Sequence, residues 1–186
     1  MLLSLLLATT AVVGGAEGAS LVGQPAPEWP DRQWVQGGPL HLRDLRGRVV
    51  LLRFFMESGC PYCSATAPAL NGLQDELGPR GLVVVGMYTP KPRPRRTPVE
   101  DVRAHAAAYG FRFPVAVDDD WAALRRLWLD RVPDASFTSA SLVIDRQGIV
   151  RHVHPGGSYS ADAPDPQARR DYQALRAAIE RALREP

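Results

Sequence analysis

Cysteine is scarce in this chain: of 186 residues only Cys60 and Cys63 carry thiols, and no second pair stands elsewhere to complete a four-ligand zinc site. A purely structural bridge between two residues so close in sequence would close a very short loop and add little stability. Lysine is scarcer still, since Lys91 is the single one and the other 21 of the 22 basic residues are arginine. The 22 basic and 20 acidic residues are spread along the whole chain, with no basic stripe interleaved with aromatics, which argues against a nucleic-acid partner. No internal repeat is visible. No apolar run approaches the ~20 residues that a membrane-spanning helix needs.

What is present fits one domain with short appendages, and a 45% hydrophobic content is enough to build a sizeable core. Residues 2–13, "LLSLLLATTAVV", are an uncharged apolar run of the length of a signal-peptide core, followed by small residues that place cleavage after Ala16 or Gly18. A basic stretch before the run is missing. The expectation is a signal peptide or weak anchor over 1–18 and a single domain over 19–186, in an exported, oxidising location where disulfide chemistry is possible.

The prolines and the Gly37-Gly38-Pro39 turn of "LVGQPAPEWPDRQWVQGGPLHLRDLRG" predict an N-terminal extension with a hairpin. "RVVLLRFF" (48–55) and "GLVVVGMY" (81–88) are continuous apolar runs, the pattern of strands buried on both faces, and a helix from Pro61 to Leu77 lies between them. Together these make a βαβ unit whose helix begins at the cysteine pair. Arg53 inside the first strand predicts a buried ion pair with a carboxylate. "TPKPRPRRTP" (89–98) reads as a solvated connector, with docking onto an acidic partner as the alternative. Beyond it come a helix to Tyr109 with His105 on its face, a strand over 113–118, and a helix capped near Asp118 or Asp119. Trp121, Leu124 and Trp128 stripe that helix toward the core. A hairpin over 139–154 and a last helix starting at Asp165-Pro166 complete a mixed α/β sheet flanked by helices.

Cys60 follows a buried strand and falls at the N-cap of the next helix, with Pro61 at its first position. Unpaired N–H groups and the helix dipole favour an anion there, which marks Cys60 as the nucleophile. Cys63, one turn in, is placed to attack a mixed disulfide formed at Cys60 and release the product. Tyr62 lies between the thiols as a surface ring for substrate contact, and Glu57, three residues before Cys60, is a candidate proton relay to Cys63.

The strand, Cys-x-x-Cys and proline-bearing helix resemble the thioredoxin superfamily. "GQPAPEW", "GGPLHLRDLRGRVVLLRFF", "CPYCSATAPALNGLQDEL", "FRFPVAVDDD" and "SLVIDRQGIV" are similar to its exported TlpA/ResA-like redoxin branch. The resemblance runs from about Val22 to His154. It implies a thioredoxin-like fold, thiol-disulfide exchange with protein thiols or disulfides and a redox partner protein, no bound cofactor, and a periplasmic or extracytoplasmic location. It also implies that Pro61, Tyr62, Thr138 and Ser139 contact substrate beside the catalytic Cys60, Cys63 and Glu57. Three departures stand out. Gly59 replaces the usual aromatic before the first cysteine, Pro61-Tyr62 is the dipeptide of glutaredoxins, and Ser139 takes the place of the family's cis-proline, where a trans bond is expected.

Two alternatives remain open on the sequence. Cys60 and Cys63 with His152 or His154 could bind copper or another metal for delivery. A peroxiredoxin-type peroxidase is less favoured, because Glu57 stands where those enzymes carry threonine.

Overall fold

In the computed structural model the chain is described over residues 16–185, so the signal-peptide or anchor expectation for 1–18 lies almost wholly outside the described residues. Six strands form one sheet: β1 (Gln33–Gln36), β2 (Val49–Phe55), β3 (Leu82–Tyr88), β4 (Val115–Val117), β5 (Ser141–Ile144) and β6 (Val150–His154). Four helices accompany them: α1 (Pro61–Leu77), α2 (Val99–Ala108), α3 (Ala122–Leu124) and α4 (Pro166–Arg184). The sheet order is β1-β4-β3-β2-β5-β6. β2, β3 and β4 run parallel, β5 is antiparallel to β2, β6 pairs with β5 as the expected hairpin, and β1 is antiparallel to β4. The N-terminal extension therefore precedes the core and contributes its strand to one sheet edge. No helix among the described residues is long and apolar enough to cross a membrane.

Continuous apolar composition in β2 follows from helices or turns covering both faces. Val49, Leu51 and Phe55 pack with α1, α2 and α4, against Leu70, Leu73, Val102, Leu175 and Ile179. Val50, Leu52 and Phe54 face the opposite layer, built from Trp29, Leu42, Leu45, Trp121, Leu124 and Trp128. A period of two in side-chain direction thus distributes one apolar run between two cores.

The expected helix after Asp120 is only partly α: it widens over Arg125–Leu129 into a π turn, which still leaves Leu124, Leu127 and Trp128 fully buried. Its start is held by Asp118, whose two oxygens accept from the N–H groups of Ala123 and Leu124 at 2.8 Å each. α4 begins as its sequence requires, with Asp165 accepting from the Gln167 N–H at 2.9 Å and Pro166 at the first helical position. Asp165→Ala is expected to lower stability by about 1 kcal/mol in urea denaturation at unchanged m, the usual cost of an N-cap.

Candidate active site

β2 ends at Phe55, and the chain turns through Met56–Gly59 into α1. Gly59 has φ +107°, a backbone region that side-chain-bearing residues avoid, with open space where a Cβ would stand. The departure from an aromatic at this position is therefore tied to the shape of the turn. The turn is held from behind: the Cys60 N–H donates to the Glu57 carbonyl at 3.3 Å, and the Tyr109 hydroxyl donates to the same carbonyl at 2.6 Å. His105 Nδ1 accepts the Ser58 N–H at 3.2 Å, lies 3.0 Å from its hydroxyl, and stacks its ring on Tyr88. Sequence reading left His105 as a helix-face residue. The signal that could have found it is the i, i+4 spacing of His105 and Tyr109, which puts both on one side of α2.

Cys60 is the N-cap of α1, and its Sγ accepts the Cys63 N–H at 3.3 Å. Both residues are free thiols. Cys60 is 9% exposed and Cys63 2%, so only the first sulfur borders solvent. Burial pushes the Cys63 thiol up to about 11, helped by its hydrogen bond with Cys60 and opposed by the Met56 backbone and the Arg53 charge. An inner thiol held protonated and an outer one at a helix start form the asymmetric pair that dithiol exchange needs.

Cys60 forms part of a groove of about 220 Å³ together with Met56, Tyr62, Lys91, Ser136, Phe137, Thr138 and Ser139. Thr138 and Ser139 thus face the first thiol across the groove. Cis peptide bonds occur at Gly38-Pro39 and Lys91-Pro92, whereas the bond before Ser139 is trans, as expected without proline. Tyr62 and Phe137 are 54% and 45% exposed, two apolar rings beside the reactive sulfur. Pro61, at the first position of α1, is exposed next to them.

One expectation needs correction. Among the described residues Arg53 has no carboxylate partner: its guanidinium donates to the Ser141 hydroxyl at 3.2 Å and the Gly157 carbonyl at 2.9 Å, and lies 5.5 Å from the centre of the Tyr159 ring. Neutral acceptors and a π face take the place of an anion, which leaves the Arg53 charge free to act on Cys63 and His154. Glu57 places one carboxylate oxygen 3.4 Å from Arg95, and its second oxygen is buried without a hydrogen-bond partner among the described residues. The residue missed by sequence reading is Lys91, whose ammonium interacts with Cys63, Cys60 and Glu57 in that order.

Of the two histidines of the metal alternative, His154 is engaged elsewhere. His154 Nε2 lies 3.5 Å from Asp171 of α4 and its ring packs edge-on against Tyr159. Among the described residues no three His, Cys, Asp or Glu side chains converge as a metal site, so the set of two thiols and one imidazole is not assembled.

Residues 22–153 match the AhpC/TSA family model. The chain belongs to that family, the redoxins of thioredoxin-like fold. It is 32% identical over 127 residues to the protein DipZ of Mycobacterium bovis, a match covering 66% of this chain but 16% of the relative's length. A Chlorobium tepidum crystal structure assigned as thiol:disulfide interchange protein DsbE superposes with a TM-score of 0.63 at 26% identity, covering 87% of this chain and 97% of that one. A secreted Mycobacterium tuberculosis disulfide oxidoreductase, described as homologous to Escherichia coli DsbE, shares the fold at 18% identity and a TM-score of 0.57, covering 81% of this chain and 93% of that one. With its family, its fold and the Cys60–Cys63 pair at a helix start, the chain is a redoxin of thioredoxin-like fold.

Proposed function

We propose that this redoxin is exported and exchanges electrons with protein thiols and disulfides, Cys60 attacking and Cys63 resolving. The observation that carries the reading is the pairing of an outer sulfur at a helix start, on the edge of a groove, with an inner sulfur one turn behind it. In the reducing direction the Cys60 thiolate attacks one sulfur of a client disulfide. A Cys60–client bond forms, and the other client sulfur leaves as a thiolate that takes up a proton. Cys63 then loses its proton and attacks Cys60, so the client's second thiol departs and the enzyme keeps the disulfide. Two electrons pass to the client, and a partner dithiol returns them; the oxidising direction is the reverse.

Pro61, Tyr62, Thr138 and Ser139 form the client contact surface in this reading, and no bound cofactor is needed. Glu57 is the candidate proton relay to Cys63 in this reading, and Lys91 is a cation that both thiols and Glu57 act on. Export rests on the apolar run of residues 2–13, and fractionation of cells making the full chain tests it.

The direction of exchange is decided by the midpoint potential of the pair. Equilibration with glutathione or dithiothreitol should give a reversible two-electron transition between the dithiol and a Cys60–Cys63 disulfide. A value near that of thioredoxin, about −270 mV, makes the protein a reductant, and one near −120 mV an oxidant. Failure of the pair to form a reversible disulfide would remove the basis of the proposal.

A further inference from the structure

Lys91 combines features that a solvated connector does not explain. Its side chain is half-buried and shares the groove with Cys60. Its ammonium lies 5.5 Å from the centre of the Trp121 ring, and among the described residues no carboxylate oxygen stands within ion-pair distance of it. The acids nearby have partners of their own. Glu57 gives one oxygen to Arg95 and acts on Lys91 from beyond ion-pair distance, Asp119 accepts the Thr97 N–H at 2.9 Å, and Asp118 caps α3 and faces Arg32. The remaining groove wall of Met56, Tyr62, Ser136, Phe137, Thr138 and Ser139 supplies no anion.

The loop that carries Lys91 is fixed at several points. The Thr89 N–H donates to the Phe55 carbonyl at 2.7 Å, the Trp121 indole donates to the Pro90 carbonyl at 2.9 Å, and Arg95 donates to the Lys91 carbonyl at 2.7 Å. Trp121 itself has φ +64°, a left-handed conformation rare for a bulky residue, and keeps it through burial and the bond to Pro90. A strained, anchored indole thus backs a partly desolvated cation beside the outer thiol. Half-buried charge without a partner is costly, and a carboxylate entering the groove offsets that cost.

We propose that Lys91 makes this groove a specificity subsite for client proteins carrying Asp or Glu next to the cysteine exchanged at Cys60. The inference rests on the thiol-disulfide reading and names the client chemistry that reading leaves open. Burial lowers Lys91 to about 8, against the opposing pull of Cys63, Cys60 and Glu57, so the ammonium persists at neutral pH. The charged and titratable groups that face it are those three, the Arg95 guanidinium of its own loop, and the Tyr62 phenol across the groove. The preference for acidic clients should therefore fade as pH rises through about 8.

The test uses reduced full-length protein and three short peptides linked as disulfide dimers, identical except for Glu, Gln or Lys beside the cysteine. Wild type is expected to reduce the Glu peptide about ten times faster than the Lys peptide, the size of one partly buried charge pair. Lys91→Arg should keep that ratio and Lys91→Glu should invert it, whereas Arg93→Glu, an exposed change on the same loop, should leave it within about two-fold. Ratios between peptides cancel any change that a variant makes in the reactivity of the thiol itself. Equal rates in wild type, an unchanged ratio in Lys91→Glu, or an equal shift in Arg93→Glu would overturn the subsite while leaving the exchange activity standing. Reaction with none of the peptides would overturn both.

Discussion

Cys60→Ser is expected to abolish disulfide exchange, a loss on the order of 10³-fold or more, because a neutral hydroxyl replaces the one thiol that lines the groove. Cys63→Ser should behave differently. Its Cys60 still attacks, but the resolving thiol is gone, so a covalent client–Cys60 adduct should accumulate and be released by dithiothreitol. Mass spectrometry of each variant incubated with a disulfide peptide separates the two roles: adduct in Cys63→Ser, none in Cys60→Ser. The reverse pattern would exchange the roles of the two cysteines, and undiminished turnover in Cys60→Ser would end the assignment. Because the Cys60 Sγ accepts the Cys63 N–H, a bond a serine hydroxyl can also accept, and Cys63 sits inside α1, serine at either position should fold.

Much of this site was legible because its chemistry is local. The apolar run of β2, the N-cap position of Cys60 and the proline after it are neighbours in sequence, and each rests on backbone rules that tertiary context rarely overrides. The α4 cap at Asp165 and the buried stripe of Trp121, Leu124 and Trp128 were readable on the same ground. What escaped depends on residues far apart in the chain. Arg53 was expected to find a carboxylate because a buried charge usually has one. Its partners are instead a hydroxyl 88 residues away, a carbonyl 104 away and an aromatic face, none of which advertises itself as a counter-group. Lys91 looked solvated amid prolines and arginines. Only the anchoring of its loop to Phe55 and Trp121 turns it toward the thiols. Arg95, placed by that same loop, stands 3.4 Å from one Glu57 oxygen, a pairing across 38 residues that the sequence does not announce.

Two buried ionisable groups outside the groove should give this redoxin opposing pH dependences of stability, each on the order of 3 kcal/mol across about two pH units. Asp118 is fully buried, and burial pushes its carboxyl up to about 6 from 3.8, against the pull of the Ala123 and Leu124 N–H groups and Arg32. The folded state therefore holds this proton more tightly than the unfolded chain does. Its contribution is complete below about pH 4 and is lost as pH rises through about 6. His154 runs the other way: burial and the Arg53 charge lower it from 6.5 to about 4, against Asp171. The fold keeps this imidazole neutral, so its contribution is complete above pH 6.5 and is lost as pH falls through about 4. Between pH 4 and 6 the two slopes largely cancel in the wild type. Urea denaturation at intervals from pH 4 to 7 should expose each in turn. The stability of wild type minus that of Asp118→Asn should shrink by up to about 3 kcal/mol toward pH 7, and wild type minus His154→Gln should grow by a similar amount. Each difference also carries a pH-independent offset, since asparagine can satisfy only part of the α3 cap; the slopes carry the test. Curves parallel to wild type in both variants would show that these groups titrate alike in the folded and unfolded chain.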